Sequence, residues 1–167
     1  MPQSGSVGML ASALDTPVLL VDLEKLEANI ERMARIIIKE AGVGWRPHTK
    51  AMKLPALAHK LQDAGAHGIT CAKLGEAEVM AAGGIRDILI ANEIVGETKI
   101  TRLVNLRRHA DVMVCVDCVE NTDELDRAAQ AKGVRLRVLI EVNVGMNRAG
   151  VEPGEAALEL ARNIAPR

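Results

Sequence analysis

Six short apolar runs punctuate the chain at spacings of about 19 to 26 residues, beginning near Val18, Gly44, Gly68, Asp87, Val112 and Leu136. After each run, apolar residues recur at helical spacing. The interval is the length of a strand, a short loop and a helix. The runs Val18-Leu19-Leu20-Val21, Gly68-Ile69-Thr70-Cys71, Ile88-Leu89-Ile90-Ala91, Val112-Met113-Val114-Cys115-Val116 and Val138-Leu139-Ile140-Glu141-Val142 read as strands. They are nearly continuous in apolar character, as strands of a parallel sheet covered on both faces are. Between them, Leu23, Leu26, Ile30, Met33 and Ile37 mark one helical face, and Leu54, Leu57 and Leu61 mark another. Pro55 suits the first turn of that second helix and Gly65 its C′ position. Asn121, with Glu124 three residues on, predicts a capping box ahead of Leu125. Pro153 opens a last helix carrying Leu158, Ala161 and Ile164. Residues 1–14 are small and weakly patterned and read as an N-terminal arm.

Serial βα units build either a doubly wound sheet or a (β/α)8 barrel. A full barrel takes about 250 residues. With 167 residues and no closing strand after the final helix, the sequence predicts a piece of a larger architecture. No GxGxxG follows the first run and no GxxxxGK[ST] occurs, which disfavours the nucleotide-binding versions of such folds. Hydrophobic content of 49% and charged content of 26% belong to a globular chain. A net charge of −1 and a pI near 6.4 argue against nucleic-acid and anionic-membrane partners. No apolar run is long enough to span a bilayer. The opening Met1-Pro2-Gln3-Ser4-Gly5 lacks a basic n-region, so no signal peptide and a cytoplasmic location are expected. Phe and Tyr are absent and Trp45 is the sole aromatic. Tyrosine acid–base chemistry and base-stacking platforms are thereby excluded for these residues.

In both architectures the chemistry gathers at the carboxyl ends of strands. Those positions hold His48 and Lys50, then Lys73, Gly75 and Glu76, then Asn92 and Glu93, then Asp117 and Cys118, then Asn143, Gly145, Met146, Asn147 and Arg148. The densest segment is Trp45-Arg46-Pro47-His48-Thr49-Lys50-Ala51-Met52-Lys53. If it is extended, Arg46, His48 and Lys50 share one face. A lysine crowded by cations is easier to deprotonate, and a neutral amine is what a Schiff base with an aldehyde requires. Lys50 is therefore a candidate covalent anchor for a carbonyl cofactor. Cys115-Val116-Asp117-Cys118 has CxxC spacing but no second pair, and it ends an apolar run rather than starting a helix. It reads as thiols packed at a strand end. Glu76 and Glu78 open a helix, where acids favour the dipole, and read as structural. Arg102, Arg107 and Arg108 read as a solvated helix face. His59 and His109 read as surface or interface residues.

Arg46-Pro47-His48-Thr49-Lys50, Cys71-Ala72-Lys73-Leu74-Gly75-Glu76-Ala77-Glu78, Ile90-Ala91-Asn92-Glu93 and Glu141-Val142-Asn143-Val144-Gly145-Met146-Asn147-Arg148-Ala149-Gly150-Val151 occur in that order. Together they resemble the N-terminal part of the D-threonine aldolase and D-serine dehydratase-like family. That family belongs to the alanine-racemase-type, fold-type III pyridoxal-phosphate enzymes. The resemblance extends over roughly residues 15–165. It implies an α/β fold, a partial (β/α)8 TIM-type barrel stopping before closure, with residues 15–167 as the N-terminal part of a cofactor-binding barrel and the family's C-terminal β-domain absent. It implies pyridoxal 5′-phosphate as cofactor and a lyase acting on a small D-3-hydroxy amino acid. Lys50 matches the lysine of the internal aldimine, Arg148 the arginine approaching the cofactor's phenolic oxygen, and His48 the histidine flanking the lysine. Asn92 and Asn143 are candidates to line the same site. An amino-acid racemase of the same fold and a non-catalytic pyridoxal-phosphate homeostasis protein are the alternatives. By analogy the family implies a homodimer.

Two departures accompany the resemblance. Family members often read RPHxKxHK, and Met52 stands where they carry a second histidine. The family's main phosphate-binding loop lies on later barrel strands, and the divalent metal pair of its aldolase and dehydratase branches lies on the C-terminal β-domain. No metal ligand is assigned among these residues.

Overall fold

Ile69–Cys71 (β1), Asp87–Glu93 (β2), Asp111–Val116 (β3) and Arg137–Ile140 (β4) form one parallel sheet whose spatial order follows the sequence, β1-β2-β3-β4. The structure, a computed structural model, describes residues 7–166. A doubly wound sheet would reverse its strand order at a switch point. This sheet never does: each strand pairs with its predecessor after a helical crossover, as in an open, unclosed portion of a (β/α)8-like barrel.

The crossovers are Leu74–Ala82 (α3), Glu97–Arg107 (α4) and Val119–Lys132 (α5), and they cover one face of the sheet. Ile69, Cys71, Ile88, Ile90, Val112, Val114 and Val116 point into that layer against Leu74, Met80, Ile100, Leu103 and Leu125. β3 lies at the centre and is buried along Val112–Val116 on both faces, which is why its sequence is apolar without alternation. β4 is an edge, and there burial alternates.

The amino-terminal part forms a second cluster. Leu23–Ala34 (α1) is capped by Asp22, whose side chain accepts the Lys25 N–H at 3.1 Å, and it continues into a π-helical turn, Arg35–Glu40. It packs with Pro55–Asp63 (α2) around Trp45, Ile30, Leu61 and Ala66. As the sequence predicts, Pro55 sits in the first turn of α2. Gly65 takes a positive φ of 104° just past its end, where the next N–H, of Ala66, reaches back to Leu61 O. Glu155–Ile164 (α6) follows Pro153 and buries Leu160.

Three expectations are corrected. Val18–Val21 forms no strand. It has no ladder partner among the described residues, and Leu19 is 97% exposed. An apolar run becomes a strand only when a neighbour takes up its backbone groups. The run from Gly44 likewise makes a single bridge, His48 to Thr70, rather than a strand. Asn121 does not cap a helix. α5 already begins at Val119, and the buried Asn121 amide instead donates to Ile94 O at 2.9 Å, tying α5 to the loop after β2. The predicted arm of residues 1–14 lies outside the described residues up to residue 6. Beyond that it contains a short 3-10 turn at Ala11–Ala13. Among the described residues no helix is long and apolar enough to cross a membrane.

Candidate active site

The Arg46–Lys53 segment lies alongside β1 and is fixed there by a buried threonine. Thr49, 1% exposed, donates its backbone N–H to Thr70 O at 2.8 Å and its hydroxyl to the same oxygen at 3.0 Å. Thr70 N–H returns a bond to Pro47 O at 2.8 Å. Alternation around Thr49 leaves His48 and Lys50 on the other side, both exposed. The parallel register puts Lys50 towards the carboxyl end of the sheet. Arg46 does not join them. It points to the amino end and pairs with Asp87 at the start of β2, Nη1 to Oδ1 at 2.7 Å. The cationic face predicted for Arg46, His48 and Lys50 is therefore reduced to the last two.

His48 Nδ1 accepts the backbone N–H of Lys50 at 3.2 Å, which leaves the ring hydrogen on Nε2. Partial desolvation of the ring, with the Lys50 charge, holds the imidazole below its ordinary range against the pull of Glu76, in keeping with an unprotonated Nδ1 in this bond. After Lys50 the chain makes one tight turn: Met52 and Lys53 N–H both bond Thr49 O, and Lys53 takes a φ of 45°. Met52, the departure from the family pattern, packs against the Trp45 cluster.

The Lys53 ammonium reaches Glu76 Oε1 at 3.2 Å, while Glu76 Oε2 accepts Ala72 N–H at 2.8 Å. Glu76 is 8% exposed in the first turn of α3. Burial pushes its carboxyl up, but the Ala72 bond and the Lys53 and Lys73 charges outweigh this and hold it below the usual range. Its environment is thus more specific than the helix-dipole reading suggests. Glu78 pairs across to Arg102 on α4. Arg107 donates to Arg135 O at 2.8 Å and pairs with Asp111, so two of the three arginines read as solvated are tied into the structure.

Residues Ala91 and Asn92 bulge out of the ladder, because Ile90 pairs with Val114 and Glu93 with Cys115. Bulges re-aim side chains next to sites. Here the Asn92 amide donates to Ala72 O at 3.3 Å, so Ala72 is held from both sides, by Glu76 and by Asn92. Glu93 turns into a group with Asp117 and Glu141, and its Oε1 is buried without a hydrogen bond. Burial first, then the neighbouring Asp117 and Glu141 charges, hold its carboxyl above the usual range, opposed by Arg148. Burial and Glu141 push the Cys115 thiol up to about 12. The CxxC spacing does abut a helix, since α5 starts right after Cys118, but Cys115 is a neutral thiol in β3.

Beyond β4, Asn143 organises its own loop. Its carbonyl accepts Gly145 and Asn147 N–H at 3.1 and 3.0 Å, and its amide donates to Asn147 Oδ1 at 2.9 Å. Gly150 passes so close to the backbone that a Cβ there would lie 2.7 Å from Asn143 N, and its N–H donates to Asp117 Oδ2 at 3.1 Å. Arg148 is exposed on a cleft of about 390 Å³ with Asp117, Asn143, Asn147, Ala149 and Gly150. It forms no ion pair with Glu141 or Glu152 among the described residues.

The structure thus gathers His48, Lys50 and Asn92 around the end of β1, and Arg148 and Asn143 beyond β4, with Glu93 between. Sequence reasoning passed over Thr49 and left Glu93 without a role. Thr49's alternation with His48 and Lys50 was a signal for its burial. Among the described residues, no group of three or more His, Cys, Asp or Glu side chains is arranged to hold a metal ion.

Residues 21–166 match the family model described as alanine racemase, N-terminal domain. The chain is 39% identical to D-threonine aldolase of Arthrobacter sp over 97% of its own length and 42% of that protein's. It is 41% identical to 3-hydroxy-D-aspartate aldolase of Paracoccus denitrificans over 95% of this chain and 41% of the other. The crystal structure of D-threonine aldolase from Filomicrobium marinum superposes with a TM-score of 0.88 at 44% identity, covering 90% of this chain and 41% of that one. The chain therefore spans about two fifths of the length of these relatives. With residues 21–166 matching the family model and both its sequence and its fold shared with these relatives, the chain belongs to the alanine racemase N-terminal-domain family.

Proposed function

We propose that this chain carries the lysine-bearing part of a pyridoxal-phosphate-dependent lyase that cleaves D-3-hydroxy amino acids, with Lys50 as the covalent anchor. One observation carries the reading. The Lys50 amine is exposed at the carboxyl end of the sheet and has no hydrogen-bond or ion-pair partner among the described residues, whereas Lys53, three residues on, is tied to Glu76. An unpaired amine fits an aldehyde cofactor, and the exposed Arg148 guanidinium fits an anionic oxygen on it. When bound, the cofactor supplies an electron sink for the bond broken at the substrate's Cα.

The protein's own groups hold the reacting parts in place. Thr49 and His48 fix the backbone that leads into Lys50. Asn143 shapes the loop that presents Arg148. Glu93, a carboxyl that keeps its proton more readily than usual, is suited to hold a proton near the Arg148 cleft. The relatives include aldolases at 39% and 41% identity and a D-threo-3-hydroxyaspartate dehydratase at 34%, so Cα–Cβ cleavage is the reading tested first and elimination of the 3-hydroxyl its alternative.

The test is turnover of D-threonine by the full-length protein with pyridoxal phosphate and a divalent metal. Release of glycine and acetaldehyde, lost in Lys50→Ala, supports the reading. Release of ammonia and a 2-oxo acid assigns elimination instead, and a Lys50→Ala variant with full activity removes Lys50 from its role.

A further inference from the structure

The segment that carries Lys50 carries a second exposed lysine one turn later, and a third, Lys73, follows β1. An aldehyde does not discriminate among free amines by type. Their placement and their freedom to reach the carbonyl distinguish them. We infer that Glu76 is a positioning residue that selects Lys50 for the cofactor by engaging Lys53 and locking the turn between them. This inference rests on the reading of Lys50 as the anchor.

The geometry supports it at three points. Glu76 is the one charged side chain buried among the described residues, and both its oxygens are spent on the site: Oε1 on Lys53 Nζ at 3.2 Å, and Oε2 on Ala72 N–H at 2.8 Å. Lys53 holds a left-handed φ of 45°, a conformation that costs a non-glycine residue energy and needs an external hold. The same turn is closed by the Lys53 N–H bond to Thr49 O at 2.8 Å, so the pair with Glu76 braces the loop from its far end. A paired ammonium must leave its carboxylate before it can lose a proton and attack. Lys50 faces no such step.

The experiment has two readouts on the full-length protein. In the cofactor-free protein, trace reductive methylation followed by peptide mapping measures the Lys53:Lys50 labelling ratio. With pyridoxal phosphate, borohydride reduction and mapping locate the adduct. The wild type is expected to label Lys53 more slowly than Lys50. In Glu76→Gln, whose amide oxygen still accepts the Ala72 N–H, the ratio rises by about fivefold, the upper end for an ion pair with one exposed partner. The adduct in that variant divides between Lys50 and Lys53, and Lys53→Met in the same background returns it to Lys50 alone. Equal labelling of the two lysines in the wild type overturns the inference without reference to any variant, as does an unchanged ratio in Glu76→Gln. A wild-type adduct on another lysine contradicts Lys50 as anchor, while the cofactor-free ratio still decides the role of Glu76.

Discussion

Replacing Thr49 with Val tests what holds the Lys50 segment against the sheet. The two side chains share a β-branched shape, so the substitution removes a hydroxyl and leaves the volume nearly intact. The main bond lost is Thr49 Oγ1 to Thr70 O at 3.0 Å, and the weaker Oγ1 contact with the buried Cys71 Sγ at 3.6 Å goes with it. Thr70 O keeps its second donor, the Thr49 N–H at 2.8 Å, so no carbonyl is stranded. The cost is then the net worth of one buried hydrogen bond, about 1 kcal/mol, rather than the larger penalty of an unpaired group. For a domain of this size that lowers Tm by roughly 2–4 °C. The local effect is larger than the global one, because Thr49 is the buried residue between His48 and Lys50. Hydrogen exchange should therefore accelerate at the amides of Thr49, Lys50 and Lys53 in Thr49→Val. Thr49→Ser, which keeps the hydroxyl and loses a methyl, costs a similar amount of stability, about 1 kcal/mol, but leaves those amides protected. If Thr49→Val melts with the wild type and its amides exchange at the wild-type rate, packing and not the hydroxyl holds the segment.

Three further outcomes follow from the same geometry. Gly150→Ala should destabilise by at least about 2 kcal/mol in chemical denaturation, because it combines a positive φ of 98° with a Cβ at 2.7 Å from backbone. Asn121→Leu strips Ile94 O of its 2.9 Å donor and should cost about 1–3 kcal/mol in the same assay, whereas a residue acting only as a helix cap would cost about 1 kcal/mol. Glu93 has its carboxyl held above its ordinary value near 4.5, so its contribution to folding is full below that pH and falls as pH rises through the raised value. Glu93→Gln should accordingly melt above the wild type at pH 7, and this advantage should vanish below about pH 4.5; an advantage independent of pH would show that charge is not the cause.

The parts of the fold legible in the sequence were those set by local chemistry or full burial. Val112–Val116 reads as a central strand because both its faces are covered, and Pro55 with Gly65 brackets α2 because each residue's backbone preference is local. Features decided by distant partners were not legible. Val18–Val21 is as apolar as a strand but lacks a ladder neighbour among the described residues. Asn121 and Glu124 have capping-box spacing, yet the tertiary acceptor Ile94 O claims the asparagine. Of the site, His48 and Lys50 could be placed from alternation. Arg46 could not, because its destination depends on Asp87 at the other end of the next strand. Glu76 looks the same in sequence whether it faces solvent or braces a turn. The bulge that sets Asn92 and Glu93 shows no glycine or other local marker, since it arises from the pairing of β2 with β3.

The central claim is that Lys50, and no other amine, takes the cofactor. Borohydride reduction of the full-length protein with pyridoxal phosphate, followed by peptide mass mapping, tests it directly. One phosphopyridoxyl adduct is expected, on Lys50, and it should be absent from Lys50→Ala; an adduct on Lys53, Lys73 or any other lysine of the wild type, or none at all, would contradict the claim.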